Sequence, residues 1–154
     1  TGTFSYFGER TPMQERENEL IFPYQEELSG VLGRALRPRV PLQLKTGNGT
    51  WTTISVYVDS GADITLLPRS AADILGLRLK SGNEVIMAGL SGELVRSYIH
   101  QVEAKVGNLP SFTMKVGIAE KESQVPVLGR EGFFDRFRVT FDPSSKSTKL
   151  SPLI

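Results

Sequence analysis

A run rich in β-branched and aromatic residues, Trp-Thr-Thr-Ile-Ser-Val-Tyr-Val, ends at Val58 and passes without a break into Asp59-Ser60-Gly61. Such a run extends as a strand, because branched side chains pack well on a pleated surface. An acidic side chain at the end of an apolar strand is costly unless it is hydrogen-bonded or put to use. Gly61 lets the backbone turn sharply and approach other groups closely. Ser60 adds a hydroxyl that can join a network stiffening the turn. A second apolar run, Ile64-Thr65-Leu66-Leu67, begins after Asp63. The stretch therefore reads as a device that presents one carboxylate on a rigid loop.

The rest of the chain after residue 40 has the same β character. Pro41-Leu42-Gln43-Leu44 alternates, and Asn48-Gly49 within Lys45-Thr46-Gly47-Asn48-Gly49 is a hairpin signal. Strands are expected over residues 84–87, 94–106, 112–118 and 125–128, with a closing hairpin of 138–142 and 147–150 around Pro143-Ser144-Ser145-Lys146. Two helices are expected. One follows Pro68 over residues 69–75, with Gly76 placed to end it. The other spans residues 130–137 and sets Phe133, Phe134 and Phe137 on one face. The reading is an all-β domain with one or two short helices.

The first forty residues differ. Residues 1–18 are polar, with charges concentrated in Glu15-Arg16-Glu17, and are expected to be a flexible arm or linker. Leu20-Ile21-Phe22 suits a short docking strand. Gly30, Gly33, Pro38 and Pro41 argue against a long helix in between. We therefore expect residues 1–39 to be an N-terminal arm or a pro-segment and residues 40–154 to be the functional domain. A chain of 154 residues defaults to one domain. It has no cysteine, which excludes disulfide staples, thiolate metal sites and a cysteine nucleophile. That composition leads us to expect a cytoplasmic location. Eighteen basic and seventeen acidic side chains give a net charge of +1, and the basic ones are scattered, so nucleic acid is not expected as a partner. No apolar run approaches the ~18–20 residues that span a membrane. His100 is the only histidine and reads as structural, because no serine or cysteine pattern accompanies it.

One carboxylate does not hydrolyse an amide. Two Asp side chains about 3 Å apart cannot both ionise, so the pair holds one proton and offers both a base for water and an acid for the carbonyl oxygen. Asp63 lies in the same turn as Asp59, Asp73 and Asp135 fall on polar faces of expected helices, and Asp142 is followed by Pro143-Ser144 instead of a hydroxyl residue and glycine. No second copy of the motif exists. Two-fold symmetry, with Asp59 meeting Asp59 of a second copy, is the simplest completion.

Tyr57-Val58-Asp59-Ser60-Gly61-Ala62-Asp63 resembles the active-site motif of retroviral-type aspartic proteases, the retropepsins, and is most similar to their bacterial or archaeal single-domain members. Met87-Ala88-Gly89-Leu90-Ser91-Gly92 stands where that family carries its glycine-rich flap, and Val127-Leu128-Gly129-Arg130 resembles the element before its C-terminal helix. The resemblance implies a single-lobe pepsin-like acid protease fold, active as a homodimer on peptide or protein substrates, without metal or other cofactor. It implies catalytic roles for Asp59, Ser60 and Gly61. It implies substrate contacts from Ala62, Asp63, Met87, Ala88, Gly89, Leu90 and Val127, and structural support from Gly129 and from Arg130 paired with Asp63. Apolar Ile86, Met87, Leu90 and Val127 would favour hydrophobic side chains beside the cut bond, and a shared proton implies best activity at mildly acidic pH. The N-terminal extension and the long closing hairpin lead us to expect a rearranged version of the family's dimer sheet. The alternative is a catalytically weak peptide-binding or dimerisation module of the same fold. Val31-Leu32-Gly33-Arg34 repeats the tetrapeptide at Val127, and with no Asp-Ser-Gly before it we read the repeat as coincidence.

Overall fold

The computed structural model describes residues 18–88 and 92–153. Its centre is a seven-stranded sheet built from β4 (Arg39–Lys45), β5 (Trp51–Val58), β6 (Thr65–Leu67), β7 (Asn83–Ala88), β8 (Leu94–Lys105), β9 (Phe112–Ala119) and β10 (Val127–Leu128). The order is β4-β5-β10-β6-β9-β8-β7, and the far end of β8 returns to pair with β4 through Gln43↔Lys105 and Leu44↔Ala104. That return closes six of the strands into a barrel and leaves β7 hanging on β8. Closure follows from the length of β8, whose twelve residues reach from β7 at one end to β4 at the other. A closed sheet has no free edge between its members.

Alternation fixes which face is inside. Val40, Leu42 and Leu44 of β4 are fully buried, as are Val56, Leu67, Ala104, Val116, Ile118 and Leu128. One helix, α1 (Ser70–Leu75), lays Ala71, Ala72 and Leu75 on this core and ends at Gly76, whose φ of 71° is the left-handed C-terminal signal. The Asn48-Gly49 turn docks on that helix end, with Gly47 N–H donating to the Leu75 carbonyl at 2.9 Å.

The second expected helix is not formed. Residues 131–136 make isolated turns, held by Phe134 N–H to Arg130 O at 3.0 Å and Phe137 N–H to Phe133 O at 3.1 Å. The reason is Gly132, which takes φ 74° and would drive a Cβ to 2.7 Å from that of Met114. The three phenylalanines still act together. Phe133 is fully buried, 4.7 Å from the Phe137 ring and 6.0 Å from that of Phe134.

The closing hairpin pairs β11 (Phe137–Asp142) with β12 (Ser147–Pro152). Its turn is organised by Asp142, whose carboxylate accepts from Ser144 Oγ at 2.6 Å and meets Lys149 Nζ at 3.1 Å. The Ser144 hydroxyl, then Lys149 and Ser145, hold this carboxyl well below the usual carboxylate range. β1 (Leu20–Pro23) pairs with the other edge of β12, so Leu20-Ile21-Phe22 is the docking strand its composition suggested. The first and last described strands thus pair within one chain, and β12 is flanked on both sides by its own neighbours. Between β1 and β4, β2 (Gln25–Ser29) and β3 (Gly33–Arg37) form a separate two-stranded hairpin. Residues 20–37, read from sequence as part of the arm, are therefore strands. Among the described residues no helix is long and apolar enough to cross a membrane.

Candidate active site

Asp59 follows the last residue of β5, and β10 holds it there. β10 runs parallel to β5 in the register Val127↔Tyr57 and Leu128↔Val58, and Asp59 N–H donates to the Leu128 carbonyl at 3.0 Å. The carboxylate accepts the Gly61 N–H at 2.9 Å, and Ala62 N–H returns to the Asp59 carbonyl at 3.2 Å. A side chain on Gly61 would put its Cβ 3.3 Å from Asp59 Oδ1, a tight contact that would press on the carboxylate.

The turn is clamped from below by residues 129 and 130. Gly129 N–H donates to the buried Thr65 hydroxyl at 3.0 Å, and a Cβ on Gly129 would lie 2.4 Å from the Ile64 backbone. Arg130 N–H and Glu131 N–H reach the carbonyls of Ala62 at 2.9 Å and Asp63 at 3.0 Å. The Arg130 guanidinium donates to the Ser60 carbonyl at 2.9 Å and forms an ion pair with the Asp63 carboxylate. This is the pairing the resemblance implied. The Asp63 side chain is 89% exposed, so the pair orients the turn more than it neutralises a buried charge.

A groove of about 780 Å³ opens over this turn. Asp59, Gly61, Ala62 and Asp63 form one side, and Met87, Ala88 and Val127 are among the residues facing it. Gly89 and Leu90, expected to close over a ligand, lie outside the described residues. Ile86 is not among the lining residues and its side chain points to solvent, 57% exposed. Sequence reasoning also missed five lining residues: Ile64, Leu66, Glu93, Val95 and Gln124. A signal existed for two of them. Thr65 and Leu67 are buried in β6, so period-two alternation sends Ile64 and Leu66 to the other face. Gly117 makes the room, since a Cβ there would lie 3.0 Å from the Leu66 side chain and 3.7 Å from that of Met87.

The approach to the turn carries a polar cluster that the sequence did not announce. The Tyr57 hydroxyl donates to the Glu27 carboxylate, 2.5 and 2.7 Å from its two oxygens. Arg37 Nε stands 3.2 Å from the same carboxylate and Arg39 NH1 3.5 Å from it. The Tyr57 hydrogen bond lowers the Glu27 pKa, with the two arginines adding and burial opposing, and the same bond raises that of Tyr57. His100 is buried in β8, its Nε2 2.9 Å from the Leu79 carbonyl and away from the groove.

The aspartyl protease family matches residues 40–131, more than half of the chain. A retropepsin-like aspartic protease from Rickettsia conorii shares the fold with a TM-score of 0.59 at 18% identity, over 86% of this chain and 97% of that one. The inhibitor-bound EIAV protease aligns over 61% of this chain and 82% of its own, with 24% identity and a TM-score of 0.46. No curated protein matches the chain. With that match over residues 40–131 this chain belongs to the aspartyl protease family, and its closed barrel, which sets Asp-Ser-Gly at the foot of an open groove, has a retropepsin-like fold.

Proposed function

We propose that the chain is an aspartic endopeptidase whose catalytic dyad is Asp59 and the Asp59 of a second copy. The observation that carries this reading is the setting of Asp59, a carboxylate held in a strapped turn at the foot of a groove of about 780 Å³. In a dyad the two carboxylates share one proton and titrate as a unit. The ionised one takes a proton from a water held between them. The protonated one donates to the carbonyl oxygen of the scissile amide as the water oxygen bonds to its carbon. The resulting tetrahedral diol collapses when the amide nitrogen receives a proton and leaves as the amine. Ser60 and Gly61 stiffen the turn and offer main-chain groups beside the substrate. Asp63, set by Arg130, stands where it can hold peptide backbone. Ala62, Met87, Ala88 and Val127 give the groove apolar surface, which favours hydrophobic side chains flanking the cut bond.

The test is cleavage of a mixed peptide library at pH 5–6, with and without a pepstatin-type inhibitor, beside an Asp59→Asn control. Inhibitor-sensitive cleavage by the unaltered protein, rising faster than linearly with its concentration and absent from the control, is expected. Binding of peptides without cleavage by a confirmed dimer would transfer the assignment to a peptide-binding module of the same fold.

A further inference from the structure

The β2–β3 hairpin has its polarity inside out. Its register pairs Gln25 with Arg37 and Glu27 with Ala35 on one face. That face turns toward β5: Ala35 is buried, Gln25 Oε1 accepts the Ser55 hydroxyl at 3.2 Å, and Glu27 accepts the Tyr57 hydroxyl. The opposite face, where alternation should place polar groups, carries Leu28 at 84% exposure and Leu36 at 42% around the Glu26–Arg34 ion pair. The tip adds Val31 at 91% and Leu32 at 70%. The tip is held in shape, because the Ser29 hydroxyl oxygen accepts the N–H groups of Val31 at 3.2 Å and Leu32 at 3.1 Å, and Gly33 takes φ 77°. A lone two-stranded hairpin is marginal in water. One that turns polar residues inward and presents ordered leucines and valine outward is built to be covered.

Position says what covers it. The Pro38 carbonyl, just past the hairpin, accepts the Val58 N–H at 3.0 Å, and Val58 precedes Asp59. The hairpin is therefore rooted beside the one carboxylate whose chemistry requires a second copy of the chain. A turn as short as 59–61 cannot supply the ~800 Å² per partner that a specific complex buries. β12 cannot supply it by strand pairing, because β1 and β11 occupy both its edges.

We propose that the β2–β3 hairpin is a dimerisation arm, whose outer face and tip (Leu28, Val31, Leu32 and Leu36) bury against the second copy that contributes the other Asp59. The inference rests on the shared-dyad reading, and its test separates the two. In sedimentation equilibrium of the full chain, the Val31→Glu/Leu32→Glu variant should show a dimer dissociation constant raised at least about tenfold. Its cleavage activity should return to the unaltered level at high protein concentration. Because the chain has no cysteine, Val31→Cys gives a unique site for a polarity-sensitive fluorophore, whose emission should shift to the blue with the same concentration midpoint as dimer formation. An unchanged dissociation constant, or a label that stays in water as dimers form, overturns the arm and leaves the dyad standing. Cleavage by the monomer, or cleavage that survives Asp59→Asn, overturns the dyad and the arm with it. A chain that remains monomeric and inactive at every concentration overturns both.

Discussion

The same tetrapeptide, Val-Leu-Gly-Arg, occurs twice in this chain and does opposite things. At residues 127–130 it is the short barrel strand β10 and the bend after it: Leu128 is fully buried, Gly129 lies against the Ile64 backbone, and Arg130 ties the carbonyl of Ser60 and the carboxylate of Asp63 together. At residues 31–34 it is the tip of a hairpin. Among the described residues, Val31 and Leu32 stand exposed, Gly33 has open space where a Cβ would go, and Arg34 pairs along its own hairpin with Glu26. Local propensity is identical in the two copies. What differs is the surrounding chain, β5 and β6 flanking the second copy and a serine-led turn holding the first. Even the glycines serve different needs. Gly129 is required for space and Gly33 for its left-handed backbone, φ 77°.

That difference predicts a graded set of outcomes. Gly129→Ala should have the largest effect, because its methyl would meet backbone that cannot swing aside. A loss of about 3 kcal/mol or more is expected in urea unfolding, with loss of activity. Arg130→Ala should come next and should act on catalysis. It frees the Asp59 turn and is expected to lower kcat/KM by about 10²-fold with a small change in stability, since the Asp63 partner is exposed. Gly33→Ala should cost roughly 1–2 kcal/mol for an alanine forced into left-handed backbone, read as a lowered urea midpoint. Arg34→Ala should be smallest, within about 0.5 kcal/mol and with unchanged kcat, because an exposed ion pair contributes little. Equal effects from the two glycines, or from the two arginines, would break the comparison.

Apart from β6, which read only as an apolar run, the strands of the barrel were legible because alternation and turn residues agree there. Leu42 and Leu44 fall on one face of β4, and Asn48-Gly49 makes the turn that follows. The helix ending at Gly76 was legible for the same reason, a cap coinciding with the end of the apolar pattern. The helix over residues 130–137 was misread because the spacing of Phe133, Phe134 and Phe137 outweighed Gly132, whose positive φ interrupts the pattern. The Asp59 turn stood out through its unusual chemistry on an apolar strand. Glu27, Arg37 and Arg39 around Tyr57 did not, because thirty residues separate Glu27 from its partner and no local pattern encodes the meeting. Leu66 and Gly117 in the groove belong to the same class, visible only once β6 and β9 lie side by side.

Mixing tests most directly whether one active site needs two copies of Asp59. Unaltered chain and Asp59→Asn chain, combined in varying ratio at fixed total concentration and allowed to exchange subunits, should give activity that follows the square of the unaltered fraction. An equal mixture would then retain about a quarter of the activity. Activity that falls in simple proportion, to about a half at equal mixing, would mean that each chain works alone and would contradict the shared dyad.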